Sequence, residues 1–80
     1  MGKLIDEAEK LAKEHGCVFE ATVSEEPYCT YCFEMDPPEG KCFDGDITVR
    51  MFEGFARDAI PFVKDCIAEI TEDTRDENNS

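Results

Sequence analysis

Long apolar runs are missing from this chain, and positive charge is scarce. Nowhere do its residues approach the ~18 consecutive apolar positions of a membrane span. The N-terminus lacks the charged-then-apolar order of a signal peptide. Lys and Arg number 8 against 20 Asp and Glu, a formal net charge of −12. That balance repels phosphate backbones and anionic membranes and attracts basic partners. The expectation is a cytoplasmic chain that binds neither membrane nor nucleic acid directly. The cysteines, Cys17, Cys29, Cys32, Cys42 and Cys66, are odd in number and carry no sign of export. Reduced thiols are therefore expected rather than a disulfide framework.

What is present patterns well. Eighty residues suit one domain near the lower size limit for an unstapled core. Over residues 3–15 the apolar positions Leu4, Ile5, Ala8, Leu11, Ala12 and His15 recur every three or four residues, which predicts a helix stopped by Gly16. Residues 17–24 alternate, with Cys17, Phe19, Ala21 and Val23 on one face. Residues 28–35 alternate likewise, with Cys29, Tyr31, Phe33 and Met35 inward. If a short loop joins the two strands, partner numbers sum to 52 and Phe19 faces Phe33. Asp-Gly in residues 43–46 marks a turn, with a small hairpin around Lys41–Phe43. A third strand is expected over 46–52 with Ile47, Val49 and Met51 inward. A second helix is expected over 53–72, kinked or broken near Ile60 by Pro61.

The order predicts a two-layer α+β domain, α-β-β-β-α, with a three-stranded antiparallel sheet and two helices on one face. Residues 1–72 form it, and 73–80, with no apolar residue, read as a disordered acidic tail. The layout resembles the double-stranded-RNA-binding domain. That family binds through basic residues at the start of its last helix and in its first strand loop. Here those places hold Glu53, Arg57 and Asp58, and Glu25 with Glu26.

Chemistry is harder to find. Cys29-x-x-Cys32 is half of a zinc motif, but in a strand the two thiols point to opposite faces, and "CTYC" has no Gly or Pro for a knuckle. A calcium loop aligned on Gly45 puts Gly40, Cys42 and Met51 where carboxylates belong. His15 and Cys17 lack a third orienting group. No enzyme, cofactor or metal is expected. A metal-binding module, with zinc on Cys29, Cys32 and Cys42 or weak calcium on the loop acids, stands as an alternative. So does a subunit-interface domain using the Thr-rich sheet face with exposed Phe43 and Phe62.

The acidity points elsewhere. On a particle of radius of gyration ~12 Å, the charge is of the same order as the ~15–18 phosphates on 25–30 Å of duplex. A small acidic domain without catalytic groups is similar in kind, by size and charge, to phage-encoded inhibitors such as anti-CRISPR proteins and DNA mimics. The resemblance implies an inhibitor that blocks a basic surface, such as that of a nucleic-acid-binding protein. Glu25, Glu26, Asp36, Glu39, Asp44 and Asp46 are the candidate contacts.

Overall fold

A computed structural model describes residues 2–72. The tail expected over 73–80 lies outside the described residues. The N-terminal stripe closes into helix α1, Lys3–Glu14, with Ile5, Ala8 and Ala12 buried on its inner face. Gly16 ends it at φ 78°, a left-handed conformation that costs glycine nothing. The Gly16 and Cys17 N–H groups then donate back to the Lys13 and Ala12 carbonyls at 3.1 and 3.0 Å. These two bonds form a Schellman motif, so the helix stops where its sequence says.

Strands β1 (Val18–Ser24) and β2 (Thr30–Asp36) pair antiparallel. Their register differs by two residues from the expected one: Phe19 faces Met35, Ala21 faces Phe33 and Val23 faces Tyr31. The connecting loop takes in all of residues 25–29, so Cys29 leaves the strand and is exposed. An even shift keeps the same side chains inward. The Phe19 and Phe33 rings therefore still stack, diagonally, with centroids 5.7 Å apart.

The third strand of this sheet is shorter, and its faces are reversed. Two small elements come first in chain order. Strand β3 is Lys41–Phe43, and Phe43 exchanges two backbone hydrogen bonds with Ile47, at 2.8 and 3.2 Å, closing the expected hairpin. The turn uses Gly45 and Asp46 at positive φ. Ile47 is thus held by the hairpin, and β4 begins only at Arg50 and runs to Gly54. It pairs with β2, placing Phe52 beside Phe33 and Arg50 beside Met35, in the sheet order β1-β2-β4. The side chains facing the helices are therefore Arg50 and Phe52, while Met51, expected inward, is 62% exposed. Arg50 tolerates that side because it forms an ion pair with Glu69.

The second helix is also shorter. A 3-10 turn, Ala56–Asp58, leads into α2, Ala59–Ala68. Of the kink or break expected near Ile60, the break is what forms: the α-helix begins only at Ala59, and Pro61 sits in its first turn, where backbone N–H groups have no intrahelical acceptor. Beyond the helix, Ile70–Glu72 forms β5, which pairs with β3 in a separate two-stranded sheet. Lys41 and Glu72 form an ion pair across it. Cys42 and Phe43 are fully buried, so Phe43 belongs to the core rather than the surface.

The expected fold class holds. A three-stranded antiparallel sheet carries two helices on its apolar face, with the small second sheet added. Phe33, Met35, Val63 and Cys66 fill the layer between sheet and helices. Among the described residues no helix is long and apolar enough to cross a membrane.

Candidate functional site

Alternation along each strand sends every second residue to the side away from the helices. On β1 these are Val18, Glu20, Thr22 and Ser24, and on β2 Thr30, Cys32, Glu34 and Asp36. Met51 and Glu53 continue the face on β4. It therefore carries four carboxylates and no Lys or Arg. Glu20 and Glu34 are direct cross-strand partners, an arrangement in which like charges destabilise a sheet. At one end, Thr22, Ser24, Thr30, Cys32 and Glu53 line a shallow groove of about 250 Å³.

Of the six acids singled out in the sequence, three lie at the two ends of this face and three beside the second sheet. Glu25 and Glu26 are exposed at the β1–β2 loop, and Asp36 closes β2 at the other end. A seven-residue strand separates the two groups by roughly 20 Å. Glu39, Asp44 and Asp46 are exposed in the turns flanking β3. The Asp46 carboxylate lies 3.8 Å from the Cys42 thiol, which points toward it. Glu20, Glu34 and Glu53, which link the two ends, were not singled out. Glu20 and Glu34 stood legibly at the polar positions of their strands. Glu53 was hidden because the second helix was expected to begin there.

The basic side chains are engaged or lie on other surfaces. Arg50 and Lys41 are ion-paired with Glu69 and Glu72, and Arg57 stacks over the Phe55 ring at 5.2 Å. Lys3, Lys10 and Lys13 belong to α1 and Lys64 to α2. The helices carry both signs, with Asp6, Glu7, Glu9 and Glu14 beside the three lysines of α1, so the open sheet face is set apart by carrying carboxylates alone.

Compared with protein families, with curated proteins and with solved structures, the chain shows no match.

The cysteines divide by burial. Cys17, Cys42 and Cys66 are buried, Cys32 is half-buried on the open face and Cys29 is exposed. Cys29, expected inward, is released by the longer loop. Among the described residues, no three of His, Cys, Asp and Glu group as a metal site requires. Burial also pushes the Cys17 thiol above its usual pKa, and thiolate is the reactive form. Brief alkylation of the native protein at pH 8 should therefore modify Cys29 and Cys32 and spare the other three. Peptide mass spectrometry reads this directly, and rapid labelling of Cys66 would contradict the packing.

Proposed function

We propose that this chain is an acidic protein-binding module that covers a basic surface of a partner and blocks it. The observation that carries the reading is the open sheet face, with four carboxylates, no cation, and further acids in the loops at both ends. A fold gains no stability from placing Glu20 against Glu34, whereas a basic partner would relieve their repulsion. Within residues 2–72, 17 acids face 7 bases, a net charge of −10, of the sign that a nucleic-acid backbone carries. The fitting partner class is a protein whose basic groove accepts nucleic acid. This is the mode of action that the likeness to phage-encoded inhibitors implies. In this reading the chain itself carries out no chemistry and works in the cytoplasm, where its thiols stay reduced.

The test is a paired measurement on one variant, Glu20→Lys/Glu34→Lys, together with each single change. A partner captured from lysate at low salt should bind the double variant at least about tenfold more slowly, because complementary charge acts mainly on association. Nucleic acid should compete for the same partner surface. Glu34→Lys alone should meanwhile make the fold more stable, by about 0.2–1 kcal/mol, because a like-charged pair becomes an opposite one. Slower binding by the double variant, with a gain of stability in the Glu34→Lys single variant, separates a recognition role from a structural one. Unchanged binding, with nucleic acid and this protein bound to the partner together, would transfer the role to the Thr-lined groove as a subunit interface.

A further inference from the structure

On the helix side of β4 the surface opens into a second cleft, smaller and differently built. Phe52, Pro61 and Phe62 wall it, and Asp58 and Asp65 rim it, around a volume of about 120 Å³. The Phe52 and Phe62 rings stack with centroids 5.8 Å apart and planes 22° from parallel, yet Phe52 remains 43% exposed. Gly54 makes the arrangement possible. A Cβ there would lie 2.6 Å from both the Phe52 ring and Asp58 Oδ2, so only glycine lets ring and carboxylate approach one backbone position. Asp58 Oδ2 accepts the Phe55 N–H at 2.8 Å, which fixes that carboxylate in place.

We propose that this cleft takes an arginine side chain of the basic protein partner. The inference rests on the reading above and names the anchor within that partner. Charge and shape select the occupant. An apolar side chain would remove Asp58 and Asp65 from water without compensation, and an anion would be repelled. The volume is about that of four waters, which suits a guanidinium with its last methylenes. It falls well short of the ~300 Å³ of a small-molecule or cofactor pocket. Arginine fits better than lysine because its plane stacks on an aromatic face while its forked donors reach carboxylates. The chain already makes such a contact next door, where Arg57 lies over Phe55. Phe52 and Phe62 offer the same chemistry with the cation still to come.

N-acetyl-arginine amide, N-acetyl-lysine amide and N-acetyl-norleucine amide, each titrated into the ¹⁵N-labelled protein, test the assignment. Arginine amide should give saturable amide shifts at Phe52, Gly54, Phe62 and Asp65, and bind roughly fivefold more tightly than lysine amide. Asp65→Asn and Phe52→Leu should each weaken it by roughly the same factor. Asp65 is exposed, so the first change leaves the fold intact. Norleucine amide binding equally well, no saturable shift at the cleft, or indifference to Asp65→Asn would each overturn the proposal. The open-face reading fails separately. If arginine amide ignores the cleft while Glu20→Lys/Glu34→Lys still slows partner association, the anchor is wrong and the acidic face stands. If arginine amide binds and those reversals change nothing, the acidic face is wrong and the cleft stands.

Discussion

Replacing Phe33 by Ala should cost about 3–5 kcal/mol of folding stability, the usual range for truncating a fully buried aromatic. Phe33 is at the centre of the middle strand and is 0% exposed. Its ring packs with Phe19, Tyr31, Phe62 and Phe52 at centroid distances of 5.7, 5.8, 5.9 and 6.5 Å. These neighbours come from all three strands and α2, so the void left by truncation cannot close by moving one element. A domain of this size has a total stability of about 4–12 kcal/mol. The substitution thus removes a large part of it. Urea unfolding followed by far-UV circular dichroism should show the midpoint falling sharply, with the slope against denaturant little changed. Phe55→Ala provides the contrast. That ring is 44% exposed, and its loss should cost no more than about 1 kcal/mol. Equal losses for the two variants would mean that the aromatic cluster is not centred on β2.

Alkaline pH should weaken the fold chiefly through the Cys66 thiol, with Cys17, which burial also raises, acting in the same direction. Cys66 is 2% exposed. Burial chiefly, with Glu69 next, pushes its pKa from 9.0 up to about 11; Cys17 and Asp65 add to the rise, while Arg50 opposes it. In the unfolded chain the thiol ionises near 9, whereas in the folded chain it keeps its proton to about 11. Between those values the unfolded state binds fewer protons, so stability falls as pH rises. The contribution is fully present below pH 9 and is lost through pH 11. Two units correspond to roughly 2–3 kcal/mol. Cys66→Ala separates this effect from other groups that titrate there. The variant should be less stable at pH 8 through lost packing, but its stability should decline less steeply toward pH 11. Parallel profiles for the two proteins would show that Cys66 is not the group responsible.

Much of this fold is legible in local pattern, and the errors share one physical origin. Helix α1 and its glycine stop follow from residues within one or two turns of each other. The inward faces of β1 and β2 follow from a period of two. That period fixes register only up to even steps, and loop length had to choose among them. Nothing local in residues 25–29 distinguishes three loop residues from five. Residues 46–51 alternate with Ile47, Val49 and Met51 apolar, so alternation points Met51 inward, and only Phe52 stands against it. The choice was made at a distance, by Ile47 joining Phe43 and by Glu69 pairing with Arg50. Ile70 likewise keeps helical spacing with Ile67, yet the edge of β3 draws it into a strand. The open face was partly visible, since Glu20 and Glu34 already lay on the polar side. Their confrontation required the true register. The aromatic cleft was invisible, because Phe52 and Phe62 come together only once β4 and α2 are both in place.

The covering of the sheet by α2 also has a consequence during synthesis. The β1–β2 hairpin is complete at Asp36, but the helix that lies over its apolar face ends only at Ala68. At translation rates of ~5–20 residues per second, the nascent chain carries Phe19, Phe33 and Met35 without that roof for roughly 2–6 s. During this interval neighbouring chains on the same message could associate through those rings. The carboxylates on the reverse of the hairpin, Glu20 and Glu34, and those at its tip, Glu25 and Glu26, give each unfinished chain a shared negative charge that opposes such association. The same residues that would greet a basic partner in the finished protein would thus keep its unfinished copies apart on the polysome.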